Sequence, residues 1–106
     1  DASFYRADNP HFNQSMEYLR QCDSLCKAHQ VFMNVVIIPY RSQVTGKDSM
    51  TPQEQIIAFC AAKDIAVSDA TGYFRKCEEP AALYLFADEI HLSAKGHQRM
   101  LEFLSH

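Results

Sequence analysis

From His11 to Gln30 the apolar positions Phe12, Met16, Leu19, Cys22 and Cys26 recur at spacings of three and four, the stripe of an amphipathic helix. Before it, Asn9-Pro10 reads as a stop or turn, and residues 1–10 as a polar tail or loop. The period then changes. Val31 to Ile38 is rich in β-branched residues and ends at Pro39; within it Val35-Val36-Ile37-Ile38 is apolar without alternation, as in a strand buried on both faces. Pro39 to Met50 collects turn-forming and charged residues and reads as a loop. Thr51 as N-cap, Pro52 at the first helical position and Glu54 three residues after Thr51 open a helix to about Lys63, turning Ile56, Ile57, Phe59 or Cys60 inward. Ile65 to Ser68 is a short strand ending at Asp69, and Ala70 to Lys76 one more helix. Glu78 to Ala87 is a connection containing Pro80, with an extended stretch at Leu83 to Phe86. Ser93 caps a last helix, Ala94 to Leu104, with Met100, Leu101 and Leu104 on one side.

Strand, helix and strand in succession form a βαβ unit, and fully apolar parallel strands need helices on both faces. The expected fold class is α/β: a partial, doubly wound (flavodoxin-like) αβα sandwich with parallel strands. Two strands make a small sheet, so further strands are expected upstream or from another chain. The chain opens at Asp1 without a Met, which points to a processed or truncated N-terminus.

Composition narrows the function classes. An apolar fraction of 47% and a charged fraction of 22% are those of an ordinary globular domain. Lys and Arg are scattered and the formal net charge is −3, which argues against nucleic acid as a partner. No apolar run approaches the roughly 18 residues of a transmembrane segment. The four cysteines, Cys22, Cys26, Cys60 and Cys77, include no Cys-x-x-Cys pair. Cys22, Cys26 and His29 share a helical spacing that admits a zinc reading, but no fourth ligand is near and the plainer reading continues the apolar stripe. Cys60 reads as core and Cys77 as the exposed thiol. No cofactor or metal is implied.

The candidate chemistry lies in Asp88-Glu89-Ile90-His91, just before the last helix. An Asp three residues before a His can set its tautomer, which is the base half of a Ser-His-Asp hydrolase. The plainer alternative is a surface Asp and a His near a helix N-terminus. Tyr40 and Arg41 follow the first strand, the edge where open α/β sheets bind ligands, and are candidate substrate-binding residues. Lys47 reads as a solvated loop residue.

The block Asp88-Glu89-Ile90-His91-Leu92-Ser93 with Gly96-His97 resembles the last motif of the SGNH (GDSL-type) hydrolase family. Val35 to Pro39 with Arg41, Gln43 and Val44 resembles that family's late strand and following loop; so does the step from Phe59-Cys60 to Ile65-Ala66-Val67-Ser68-Asp69. The resemblance runs from about Met16 to Leu104 and makes residues 11–106 the C-terminal portion of such a domain. It implies that His91 is the catalytic base, that Asp88 is the third triad member, that Gly96 permits close packing and that His97 bonds nearby backbone. The substrate would be an acyl, lipid or carbohydrate ester. The family's nucleophilic Ser, in a Gly-Asp-Ser block, and its oxyanion-hole Gly and Gly-x-Asn-Asp blocks precede the aligned region. Ser3 in Asp1-Ala2-Ser3-Phe4 follows no strand, and Asn34 lies in a strand run rather than a Gly-x-Asn-Asp context. The partner implied is the upstream half of the same domain, or a self-associated copy, and the chain alone is expected to be inactive. The rival expectation is a non-catalytic α/β binding or assembly module that keeps a hydrolase-like edge.

Overall fold

The structure, a computed structural model, describes residues 9–46 and 48–105. In chain order the elements are α1 (Pro10–Ala28), β1 (Asn34–Ile37), α2 (Arg41–Val44), α3 (Thr51–Ala62), β2 (Ala66–Asp69), α4 (Thr71–Arg75), a 3-10 helix (Pro80–Leu83) and α5 (Ala94–Leu104). The class is mixed α/β, with β1 and β2 paired in parallel. Among the described residues no helix is long and apolar enough to cross a membrane. The chain forms two compact units: the described residues to Val35 with Met50–Ser68, and Val36–Ser49 with Asp69 onward.

In the first unit, Asn9 and Pro10 start a helix. The Asn9 side chain accepts from the backbone N–H groups of His11 (2.8 Å) and Phe12 (3.2 Å), and Pro10 occupies the first turn, where its missing N–H costs nothing. The inward face of α1 is Phe12, Met16, Leu19, Asp23 and Cys26; Cys22 is exposed. At 100° per residue, Asp23 falls about 20° from Phe12 around the axis and Cys22 about 80°, so the helix buries the acid and exposes the thiol. The Lys27 ammonium neutralises Asp23 at 2.8 Å and also donates to the Asp64 carbonyl at 2.9 Å.

Helix α3 starts one residue earlier than its sequence pattern suggests. The Glu54 N–H already bonds the Met50 carbonyl (3.0 Å), so Met50 is the N-cap and Pro52 sits within the first turn. Gln53 and Cys60 are buried, Ile56 and Phe59 half-buried, and Ile57 exposed. In β1, Ile37 is buried, Val35 and Val36 are half-buried and Ile38, past the strand end, is exposed, so the apolar run is not covered on both faces by the described residues.

The second unit has a contiguous core of Val44, Ala70, Phe74, Leu83, Tyr84 and Met100, with Val36, Tyr73, Cys77, Leu92 and Phe103 packed against it. The Phe74 and Tyr84 rings meet edge-on, centroids 6.4 Å apart. Asp69 starts α4 by accepting from the Thr71 N–H (3.0 Å) and hydroxyl (2.6 Å). Pro80–Leu83 forms a 3-10 turn, and only Tyr84 of the expected extended stretch pairs, in a bridge to Leu92. Helix α5 is capped by Ser93, whose hydroxyl accepts from the Gly96 N–H (3.1 Å). Its packed stripe is Gly96, Met100 and Phe103, while Leu101 and Leu104 are exposed; Leu101 is about 140° from Gly96 on the helix. A Cβ on Gly96 would lie 2.0 Å from the Leu83 carbonyl oxygen, so only glycine lets α5 sit this close to the 3-10 helix.

Candidate active site

The site is built within the second unit from the loop between Tyr84 and Leu92. Its base is an antiparallel bridge between those residues, extended by the bonds Leu85 N–H to His91 carbonyl (2.9 Å) and Ser93 N–H to Leu83 carbonyl (2.9 Å). Its tip turns at Ala87, which takes a left-handed φ of 57°, and closes with the Asp88 N–H on the Leu85 carbonyl (3.0 Å). Nine residues thus form a stapled turn just ahead of the α5 cap.

Asp88 organises the tip. Its Oδ1 accepts from the backbone N–H of Ile90 (2.7 Å) and of His91 (2.9 Å), and its Oδ2 lies 2.9 Å from His91 Nδ1. These bonds favour the ionised carboxylate, the His91 and Ile90 backbone N–H groups first and the His91 ring after them, and lower its pKa to about 2. A permanently ionised acceptor at Nδ1 selects the tautomer with the proton on Nδ1 and leaves Nε2 with its lone pair. The His91 side chain is 72% exposed and that of Asp88 30%, so the carboxylate is the sheltered member and the imidazole the presented one.

Glu89 ties the loop to α2. Its backbone carbonyl accepts from the Arg41 N–H (2.9 Å), its Oε1 from Arg41 Nη2 (2.9 Å) and Nε (3.2 Å), and its Oε2 from the Ser42 N–H (3.1 Å). The carboxylate meets the open N–H groups of the first turn of α2, and Arg41 and Ser42 hold its pKa below the usual range. The four-residue helix is fixed elsewhere too. Gln43 Oε1 accepts from the Tyr40 N–H (2.9 Å), its Nε2 donates to the Ser49 carbonyl (3.1 Å), and Arg75 donates twice to the Gln43 carbonyl. The buried Tyr84 hydroxyl donates to the Pro39 carbonyl at 2.6 Å; burial, then the Glu89 charge, pushes that phenol up to about 12, so it remains a donor. His91 is therefore held at the carboxyl end of β1, the edge at which open α/β sheets bind ligands.

Of the sequence candidates, Asp88 and His91 are brought together. Arg41 is engaged by Glu89, while Tyr40, 44% exposed, stands at the same edge. His97 is exposed on α5, and its ring hydrogen-bonds nothing among the described residues, contrary to the expected backbone bond. Among the described residues no hydroxyl or thiol bonds the His91 ring. Ser3 and Lys47 lie outside the described residues. Asn34 bonds the Ser68 hydroxyl from its strand (3.1 Å). All four cysteines are free; Cys22 is the exposed one and Cys77 is half-buried, the reverse of the sequence reading. Burial raises the pKa of the Cys60 thiol, in keeping with a core residue. No three His, Cys, Asp or Glu side chains among the described residues gather as a metal site, and Cys22, Cys26 and His29 form no such group.

Two participants were not evident from sequence. Glu89 looks like a solvated neighbour of Asp88, and only the fold brings it to Arg41. Helix α2 did leave a signal, since Gln43 three residues after Tyr40 is a capping spacing inside a stretch otherwise read as loop. No family model matches this chain, and no curated protein or solved structure matches it.

Proposed function

We propose that this chain is the C-terminal part of an SGNH-like serine ester hydrolase, a doubly wound αβα domain whose nucleophilic Ser and oxyanion hole come from a segment outside the described residues. The observation that carries the reading is the fixed Asp88–His91 pair, with Nδ1 held at 2.9 Å and Nε2 presented outward. In the reaction the Ser hydroxyl attacks the ester carbonyl carbon and passes its proton to His91 Nε2. Asp88 stabilises the imidazolium without taking the proton. Collapse of the tetrahedral intermediate breaks the bond to the leaving alcohol, which receives the proton back from Nε2. Water then repeats the sequence on the acyl-enzyme and regenerates Ser and acid. Tyr40 borders the substrate, and Arg41 acts through Glu89 on the His91 loop.

The partner is the upstream half of the same domain or a second copy of the chain. The test is to express the whole reading frame that encodes this chain and treat it with a fluorophosphonate. Labelling of a serine that follows a strand and a Gly-Asp turn, with saturable p-nitrophenyl acetate hydrolysis abolished by H91A, is expected. Absence of labelling, or turnover indifferent to H91A, overturns the proposal and leaves the binding-module reading.

A further inference from the structure

A cavity of about 430 Å³ opens between α1 and α3 in the first unit, far larger than a packing defect and within the roughly 300–1,000 Å³ of small-molecule sites. Its apolar lining is Phe12 and Met16 from α1 with Ala58 and Phe59 from α3, interrupted by the polar Asn13 and Gln55. The end of α1 lies beside the residues that follow α3, where Lys27 bonds the Asp64 carbonyl. On each helix the basic residue follows the apolar ones in sequence, Arg20 after Met16 and Lys63 after Phe59, and Glu17 feels the charge of both.

The lining has an excess of positive charge. Arg20 is paired through Nε with both oxygens of Glu17 at 2.7 Å, which holds the Glu17 carboxyl below its usual range. Lys63 has no carboxylate within ion-pair distance among the described residues. Glu17 faces both cations, Arg20 in a direct ion pair and Lys63 at longer range, so the charged residues of the lining carry one positive charge more than negative. From Phe12 to Arg20 the helix rises about 12 Å, the extended length of roughly eight to ten carbons.

We propose that this groove binds a medium-chain carboxylate, with its tail along Phe12, Met16, Ala58 and Phe59 and its head group at Lys63. Burial of the chain supplies the affinity, and the excess positive charge beside Glu17 supplies the choice of head group. The site stands apart from the hydrolase reading, and failure of either leaves the other intact.

The test titrates the full chain with decanoate, below the concentration at which decanoate self-associates, by calorimetry and by NMR of the Met16 and Ala58 methyl groups. Saturable binding that shifts both methyls is expected, with loss of binding in A58W, about threefold weakening in K63Q and weaker binding of decyltrimethylammonium. No saturable binding, equal affinity for the cationic amphiphile, or an affinity unmoved by K63Q overturns the proposal. Should A58W fail to fold, K63Q and the head-group comparison decide the matter alone.

Discussion

Asp88 holds His91 at two points: Oδ1 accepts the His91 backbone N–H at 2.9 Å, and Oδ2 meets Nδ1 at 2.9 Å. The two bonds fix both the backbone and the ring of one residue from one carboxylate three positions earlier. A carboxylate on a distant element would need tertiary packing to reach the same geometry. Here the turn itself supplies it, and Glu89 needs only to hold the turn against α2.

The pair sets a pH dependence whose sign follows from Asp88. Its folded pKa is lowered from the ordinary 3.8 to about 2. Above 3.8 the group is ionised in folded and unfolded chains alike, and its contribution is fully present. As pH falls from 3.8 through about 2 the unfolded chain takes up the proton first, and the contribution is lost. Carboxyl carbon NMR is expected to give Asp88 a midpoint near 2; a midpoint near 3.8 would contradict the bonding described. Asp88→Asn should lower kcat of the completed hydrolase by about 10³- to 10⁴-fold, because an amide can donate to Nδ1 and reverse the tautomer.

Arg41 has two possible roles that a double-mutant cycle separates. If it acts through Glu89, Arg41→Ala and Glu89→Ala each lower kcat of the completed enzyme, and Arg41→Ala adds little when Glu89 is already Ala. If Arg41 instead binds substrate, its loss raises KM equally in both backgrounds. The two bonds from Arg41 Nη2 and Nε to Glu89 Oε1, at 2.9 and 3.2 Å, favour the first outcome.

The chain alone is expected to show no saturable ester hydrolysis, since a base without its nucleophile retains only weak general-base action, about 10²-fold. The assay is p-nitrophenyl acetate with the purified chain and its His91→Ala variant. Saturable turnover that disappears with His91 would require a nucleophile within this chain.

Much of this was legible in the residues. The Phe12, Met16, Leu19 stripe, the Ser93 cap and the order of strands and helices are local signals, and local structure follows them. The failures share a cause. Cys22 and Asp23 both continue a three-four spacing, and hydropathy favours the cysteine, but helical geometry with a neutralising Lys27 places Asp23 inside. The same angular argument separates Phe103 from Leu101 on α5. Helix α2 is only four residues long, below what periodicity can register, and depends on Glu89, Gln43 and Arg75 for its ends. Asp88 with His91 was visible because its partners are three residues apart; Glu89 with Arg41 was not, because its partners are distant in sequence.

Helix α1 ends with Gln30 at φ 55°, a left-handed conformation, while the Val31 N–H closes on the Cys26 carbonyl at 2.8 Å. This is the position where glycine is favoured, because a side chain there costs about 1 kcal/mol. Gln30→Gly is expected to stabilise the chain by about 0.5–1 kcal/mol, read as a higher Tm in thermal denaturation, despite the greater freedom glycine gives the unfolded chain. A lower Tm would mean that the Gln30 side chain contributes more than its backbone strain costs.

Gly96 and Gly72 make a matched pair of tests. Both lie in helices, where Ala is intrinsically better than Gly by up to about 1 kcal/mol. At Gly72 a Cβ meets nothing within 4 Å, so Gly72→Ala should be neutral or stabilising. At Gly96 the Cβ would meet Leu83 backbone oxygen at 2.0 Å, and the Leu92 side chain at 3.0 Å. Backbone cannot step aside as a side-chain tip can, so α5 must move off the 3-10 helix and loosen Met100 and Phe103 from the core. Gly96→Ala is expected to cost about 1–3 kcal/mol in chemical denaturation in spite of the propensity gain. The displacement should also reach His91, because Ser93 links the cap of α5 to the Leu83 and Ala82 carbonyls at the foot of the same loop. NMR shifts of the His91 ring carbons in Gly96→Ala, absent in Gly72→Ala, would show that the seat of α5 sets the position of the imidazole. Two variants with equal stability and equal His91 spectra would rule out the close approach.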